Sequence, residues 1–568
     1  MAKLPDYVAM ATPNSRENRL SWWKSTASAY AGVMLWFVFW QDIPTAAVGG
    51  YAGGMFGCGL GLAITALLVA AFLCHILFYL VPAKLGYKTG LPLYIVGTST
   101  YGVRGGFLMP GFLMGALQFG WLAVNAYFAG MLLAATVGAA GNSVVHLTIS
   151  VVFAVLAAII GLKGIKYVAG ISTYLPLIPV VILIVLTCKT IGGVGKFEAA
   201  KLVTAQLPVA AAEAPIADKE PAPEAAPEAA PATETPAEAA PAEETPAAEA
   251  APATEETPAA PVGADAAAVA EPAAEAEANT EAKAEEAAKA PETEATEAAP
   301  AEEAAAPAEM KRHTPFSIFN LMAIYVIGFF ATAGAAGCDM GSNNRTSAGV
   351  QIGGLVGVVG TMAFTGILSL LIYAGAYGNG VIPYTEAVGQ TPALMGQIMG
   401  SETVGKVFMT LLALAAFPSA CFASLIASNS FKTTLPKTNP WISCGLGTLA
   451  AVILIVTTYA GQAAAVFSVI GASFGPICGA MVADYLLADG RWNGPRAGFN
   501  PAGWISWFFG FIVGAFNFLP ATCRGGFDMP CPPLLAFFVG LVLYFLCAKL
   551  GMESETLPME CKLPNMDE

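Results

Sequence analysis

Three groups of residues in this 568-residue chain have types and spacings that could do chemistry. The first is Gln41-Asp42-Ile43-Pro44, which closes the apolar run YAGVMLWFVFW. An acid embedded in apolar surroundings must be paired or hydrated, and Pro44 removes a backbone donor and disfavours helix at Ile43. Two readings are open. Either the helix breaks here and its freed carbonyls face a cavity, or the chain kinks near a surface and Asp42 is simply wet. The second group lies in GFLMGALQFGWLAVNAYFAG. Gln118 and Trp121 are three apart and Asn125 is four further, so the three share one helix face. An amide beside an indole suits a flat ligand with hydrogen-bonding edges: the ring stacks and the amide reads the edge. The same residues also suit hydrogen bonding between helices. The third group is IYVIGFFATAGAAGCDMGSNNRTS, with small residues from Gly328 to Gly337 and then Asp339 and Arg345. Such a run unwinds cheaply and lets a ligand approach the backbone.

The elements that hold these groups are set by composition. The chain is 56% hydrophobic and 12% charged, with a mean hydropathy of +0.63. Soluble domains carry about 25% charged residues, so this chain is built for a bilayer. Runs long enough to cross a ~30 Å hydrocarbon core recur at 27–48, 54–81, 107–137, 145–163, 167–187, 317–337, 348–376, 403–430, 441–460, 463–487, 502–519 and 532–550. They are uniformly apolar rather than alternating, which predicts helices and not barrel strands. In the second run Gly49, Gly53, Gly57 and Gly61 are four apart, which predicts a small-residue packing face on a helix. Interrupted helices at the first and sixth positions point to an inverted-repeat transporter with a site near the midplane.

Basic residues orient the helices. With the N-terminus inside, sixteen Lys and Arg fall on inside segments, against Lys406 and Arg524 on short outside loops. That predicts both termini in the cytoplasm and the long 188–315 connection outside. From about 210 to 308 this connection is an Ala/Pro/Glu-rich insert with 15 prolines and no aromatic residue. It lacks anything that could build a core and reads as an extended, self-repelling spacer. Residues 211–310 hold 25 of the 40 acidic residues, so the net charge of −14 belongs to the insert and the remainder is mildly basic.

Other classes are poorly served. No basic stripe is interleaved with aromatics, so no nucleic-acid partner is expected. His75, His146 and His313 are isolated from one another and no HExxH motif occurs, which argues against a membrane-embedded enzyme. No ring of charges or repeated filter loop suggests a channel. The 11 cysteines form no CxxC pair. Cys523 and Cys531 share one short outside loop, and a disulfide between them is expected there.

At AKLGYKTGLPLYIVGTSTYGVRGG, GALQFGWLAV, ATAGAAGCDMGSNNR and FGPICGAMVADYLL the chain resembles the nucleobase:cation symporter-1 family, in order and spacing. The resemblance implies an all-α polytopic membrane protein of twelve transmembrane helices: a 5+5 inverted repeat (LeuT-like) plus two extra helices. It divides the chain into a cytoplasmic tail (1–26), a first five-helix repeat (27–187), the connection (188–315), a second repeat (316–487), helices 11 and 12 (488–550) and a second tail (551–568). It implies alternating-access import of a nucleobase such as cytosine, or of a related purine, pyrimidine or hydantoin-like ring. Trp121 matches the stacking aromatic of the third helix, Phe330 its partner on the sixth, and Gln118 the amide that reads the ring edge. Thr332 and the backbone at Gly328 match the sixth-helix break. Cys421 stands where cytosine permeases have an asparagine. Gln41 and Asp42 join the candidate substrate residues. A sodium site would use carbonyls of Trp36 and Phe39 with Ser419, and Ala416 and Ala420 replace other ligands there. Losing oxygens weakens a site for a hard cation. A proton carried by Asp42 is the alternative to sodium. An amine or amino-acid carrier of the same fold is the alternative function. No organic cofactor is expected, the surroundings are the inner-membrane bilayer, and the sequence sets no oligomeric state.

Overall fold

A helix in water hides its apolar side. Here the reverse holds. Val152, Val155, Leu156 and Ile159 are exposed along one helix face, as are Leu446, Leu449, Ile453 and Val456 along another. Such stripes are stable only against lipid tails, so the chain is a multi-pass membrane protein. The computed structural model describes residues 4–25, 34, 36–45, 50–163, 175, 177–207, 310–386, 393–435 and 437–559. Among them there are helices and isolated bridges and no strand. The insert at about 210–308, most of the first span before Trp36, and the end of the C-terminal tail lie outside the described residues.

The membrane helices are α1 (Trp36–Asp42), α2 (Leu60–Thr89), α3 (Thr98–Thr136), α4 (Val144–Lys163), α5 (Leu177–Lys196) and α6 (Pro315–Phe330). They continue with α7 (Ser347–Gly378), α8 (Glu402–Thr434), α9 (Pro440–Val456), α10 (Ala463–Leu487), α11 (Pro501–Gly514) and α12 (Pro532–Lys549). Eight of these are long and apolar enough to cross a membrane, while α6, α9 and α11 are shorter apolar helices. After α6 a separate half-helix runs over Ala333–Ser342.

Packing pairs repeat with an offset of five helices. α2 packs on α6, and α7 on α1; α2 also packs on α10, and α7 on α5. Likewise α3 packs on α4 and α9, and α8 on α9 and α4. The result is two four-helix groups, α1-α2-α6-α7 and α3-α4-α8-α9, each closed under the repeat. α11 and α12 pack on α10, outside the repeat.

Several boundaries move. The glycines at 53 and 57 do not lie on a helix face. Residues 50–59 form turns around one short 3₁₀ helix, Gly54–Phe56, and α2 begins at Leu60, because Gly53 and Gly59 adopt φ of +85° and +95°, which an α-helix cannot accommodate. A short helix, Ala199–Gln206, occupies the connection after α5. Cys523 and Cys531 are both free thiols. Cys531 is buried at the start of α12, where its N–H donates to Asn320 Oδ1 at 2.6 Å, and Cys523 is exposed, so the expected disulfide is absent.

Candidate functional site

α1 ends at Asp42, as the proline demands. The carboxylate does not stand alone: Tyr325 Oη donates to Asp42 Oδ2 at 2.5 Å. Tyr325 is fully buried and lies ~15 Å along α6 from its start. The carbonyls freed by the break are also taken. Met55 N–H donates to Ile43 O at 2.8 Å. Gln206 Nε2 donates to Pro44 O at 2.7 Å, while its Oε1 accepts from Gly53 N–H at 2.7 Å. The loop folds this close because Gly54 has φ of +51° and lacks a side chain; a Cβ there would sit 2.4 Å from Ile43 O. One turn back, Tyr373 Oη on α7 donates to Trp40 O at 2.5 Å. Protein donors therefore satisfy the carbonyls of Trp40, Ile43 and Pro44 at this break.

The sixth span is interrupted where its small residues predict. α6 stops at Phe330, residues 331–332 form a turn, and helix resumes at Ala333. Thr332 sits in that turn, half-buried. Gly328 faces α10, and a Cβ on it would come within 2.9 Å of Phe467 Cβ.

The α3 face meets this break. Trp121 lies edge-on to Phe329, with centroids 4.6 Å apart, and is tilted by 31° against Phe467 of α10 at 4.8 Å. Phe330 is the next residue along and contacts Phe329 at 5.4 Å. The Trp121 indole N–H is buried and has no acceptor among the described residues. Gln118, 5% exposed, turns its Nε2 toward Met114 Sδ at 3.7 Å, a weak partner for an amide. Asn125 closes the face: its Nδ2 donates to Trp121 O at 2.9 Å, and its Oδ1 accepts from Ser419 Oγ at 3.2 Å.

The remaining expected residues are distributed as follows. Trp36 and Phe39 are buried on α1, where Phe39 meets the Tyr325 ring at 6.3 Å and its carbonyl accepts from Ile43 N–H at 2.9 Å. The side chain of Gln41 lies outside the described residues. Cys421 is fully buried where α8 crosses α4 at Gly161. Ser419 thus addresses α3, while the α1 carbonyls belong to a helix packed on α7. Asp42, Phe39 and Tyr325 form one cluster; Trp121, Phe329 and Phe467 form another. Tyr325 and Phe329 are four apart on α6, so the clusters occupy adjacent turns. Tyr325, Phe329 and Phe467 went unmarked in the sequence because each is one more aromatic in an apolar run. A cavity of about 740 Å³ lies elsewhere, between the end of α3 and the start of α8, lined by Met131, Gly138, Gly400, Lys406 and Met409 among others.

No protein-family model and no curated protein sequence matches the chain. Solved structures do. Mhp1, a nucleobase-cation-symport-1 family transporter, in a closed conformation with bromovinylhydantoin bound, is similar with a TM-score of 0.54 at 12% identity, covering 98% of this chain and 98% of that chain. Mhp1 in its inward-facing conformation gives 0.51 at 11% identity, covering 97% and 94%. At such identity the likeness is one of fold. The chain has the LeuT-like architecture of these transporters, two inverted five-helix repeats followed by further helices.

Proposed function

We propose that this protein is a secondary active transporter, a cation symporter that imports a nucleobase such as cytosine, or a related purine, pyrimidine or hydantoin-like ring, by alternating access. The carrying observation is the buried, acceptor-less indole N–H of Trp121 beside Gln118, at the junction of α3, the α6 break and α10. A buried donor without a partner costs about 1–3 kcal/mol, and a ring with carbonyl and N–H edges would relieve it while Gln118 reads the opposite polarity. The ring would take the place Phe467 now has against Trp121, with Phe329 or Phe330 as the other wall. The fold likeness to a transporter with a hydantoin bound supports this reading.

In this proposal Thr332, the Gly328 backbone, Cys421, Gln41 and Asp42 complete the substrate region. Sodium is the favoured coupling ion, taken by oxygens of Trp36, Phe39 and Ser419. For that, Ser419 must turn from Asn125. Both termini would lie in the cytoplasm and the insert outside, in the inner membrane. No bond is made or broken, so no catalytic residue is assigned.

The Asp42 carboxylate, held by Tyr325, favours one second reading: a carrier of amines or amino acids with Asp42 as cation partner. Uptake into proteoliposomes of labelled nucleobases and hydantoins, against labelled amines and amino acids, decides between them. Ring uptake that amines do not compete supports the proposal. Amine uptake without ring uptake replaces it.

A further inference from the structure

Two of the membrane helices are interrupted in the same unusual way, and at the same place. α2 contains a π-helical turn at Cys74–Tyr79, and α7 contains one at Leu355–Gly360. The two turns pack against each other. π-Helix makes up well under 1% of residues in ordinary proteins, and its turns concentrate at functional sites and at bends. A third such turn, Phe107–Phe112 in α3, contains Pro110, which accounts for it. The α7 turn has no proline in it or in the helical turn after it; the α2 turn is followed by Pro82, which cannot donate to Phe78 O and so helps to open the helix there.

Beyond these turns, at the end of the molecule that carries the N-terminal tail, four segments are fastened together. The half-helix Ala333–Ser342 lies backbone to backbone on the last turns of α2. A Cβ on Gly86 would come within 1.9 Å of Cys338 O, and one on Gly341 within 1.9 Å of Ala83 O. Tyr79 Oη donates to Val350 O at 3.1 Å, tying α2 to the first turns of α7. The tail stitches across all of this. Arg19 Nη1 donates to Tyr87 O at 2.8 Å, and Asn14 Nδ2 to Ser342 O at 3.2 Å. Leu20 N–H donates to Asn343 O at 2.7 Å, and Arg345 N–H to Leu20 O at 3.1 Å. Polar ties to the neighbouring elements include Lys88 Nζ to Gly490 O at 3.1 Å, Leu93 N–H to Asp339 Oδ1 at 3.3 Å and Cys338 Sγ to Leu91 O at 3.6 Å.

We propose that residues 80–89, 333–342, 347–354 and 14–25 form one lid over this end of the transport path. It pivots where the two π-turns touch and where α6 breaks at 331–332. Each of the three helices entering the lid departs from α-helix at its point of entry, and none does so within it. The pivot surface is built for contact without side-chain interlock. The His75 and Tyr79 rings stack at 5.5 Å, and Gly354 lies against them with no room for a Cβ, which would sit 2.3 Å from Tyr79 Cε1. The lid rests on the alternating-access reading above and adds which part moves and where it bends. In the proposed orientation this end is cytoplasmic, so the lid controls release.

The test is a pair of distance measurements with spin labels carried on noncanonical amino acids in lipid nanodiscs. One pair joins position 347 in the lid to position 163 at the end of α4; the other joins 347 to 24, both within the lid. All three positions are exposed. The α2 arm beyond the π-turn is ~15 Å long, so a tilt of about 20° moves its tip by about 5 Å. The 347–163 distance should show two populations about that far apart, whose balance shifts between sodium and choline buffers or on adding cytosine or benzylhydantoin. The 347–24 distance should stay single and narrow. Gly360→Ala leaves its nearest neighbour, Leu355 O, at 3.4 Å, so it stiffens the α7 pivot without a clash. It should collapse the two populations toward one and slow uptake several-fold. Gly445→Ala, on α9 with nothing within 4 Å of the added carbon, should change neither. A single 347–163 population in every buffer, or a 347–24 distance that spreads with it, overturns the lid. Because the sodium and choline measurements need no substrate, a lid that moves between them in a protein that imports no ring compound would sink the substrate reading and leave the hinge. Ring uptake under a rigid lid would do the opposite.

Discussion

Tyr325 on α6 donates to Asp42 at the end of α1 at 2.5 Å, so the two interrupted helices are joined side chain to side chain. A hydrogen bond to an ionised group contributes about 1.5–3 kcal/mol. Tyr325→Phe should therefore lower coupled uptake by roughly ten- to a hundredfold at limiting cation. Asp42→Asn separates the ions. If Asp42 carries the proton, this variant loses all dependence on pH. If sodium is the ion, sodium dependence survives it, and Ser419→Ala raises the sodium needed for half-maximal uptake. Uptake is measured at fixed membrane potential, with choline replacing sodium and pH varied separately. Indifference to both ions would leave a facilitator and remove the symporter.

Trp121→Ala should weaken ring binding by about 1–3 kcal/mol, the range for stacking of a base on an aromatic face. Trp121→Phe keeps the face and deletes the N–H, so it isolates the hydrogen bond. Calorimetry or competition uptake reads both. Binding retained by Trp121→Ala within a factor of two takes the residue out of the site.

The insert should be dispensable. Leu207 before it and Met310 after it pack in one small cluster with Ala52 and Val203, so its two ends are already together. Closing a shorter loop changes the entropy by only ~0.6 kcal/mol per halving. Replacing 215–305 by a short Gly/Ser linker should preserve the melting temperature and uptake. A deletion protein that elutes as aggregate, or is monodisperse but inactive, would overturn this.

Acid should loosen the cap over the α1 break. His313 stacks on Tyr51 at 4.6 Å, and burial pushes its imidazole down to about 4 from an ordinary 6.5. A group that binds its proton less tightly when docked favours docking only while neutral. The contribution is whole above about pH 6.5 and declines as pH falls from there toward 4. Hydrogen exchange of residues 50–59, corrected for intrinsic rate, should quicken between pH 7 and pH 5. His313→Gln should flatten that dependence; equal pH dependence in both proteins would discard the mechanism.

Arg496, in the loop after α10, joins α10 to α12 and to the segment that follows α12. It is 3% exposed and donates to Asp484 at 2.9 Å, Glu553 at 2.7 Å and Tyr544 Oη at 2.9 Å. Asp484 in turn accepts from Ser99 at 2.6 Å and Thr100 at 3.1 Å, at the start of α3. Arg496→Met leaves a buried carboxylate uncompensated and should cost about 3–5 kcal/mol, seen as a large fall in melting temperature. Glu553→Gln, on a carboxylate 29% exposed, should cost much less. Equal falls would show that the cluster is not organised around Asp484.

The positions of the membrane helices were legible because lipid leaves a chain one option: long apolar runs must close their own hydrogen bonds. Both interruptions were legible too, one from Pro44 and the other from the small residues before Asp339. Harder to read was anything depending on which atoms meet. The glycines at 53 and 57 have helical spacing, yet positive φ at Gly53, Gly54 and Gly59 turns them into a loop. Cys523 and Cys531 share a loop, but one thiol is exposed and the other is buried at the foot of α12. Trp121 was visible on the α3 face, whereas Phe467, from a helix more than three hundred residues later, is one more aromatic in an apolar run.

What the sequence determined by itself, then, is whatever follows from one-dimensional pattern: the apolar spans, the breaks, the basic bias of the loops and the absence of core-forming residues in the insert. These are local and additive, so position along the chain contains them. Only the tertiary structure decided that Asp42 is held by Tyr325, that Trp121 keeps an indole N–H without an acceptor, and that the π-turns of α2 and α7 touch. Each of these depends on a close approach of a few ångström between helices remote in sequence. Such approaches are set by packing of the whole bundle, and small residues such as Gly86, Gly341 and Gly354 permit them without announcing which partner they will meet.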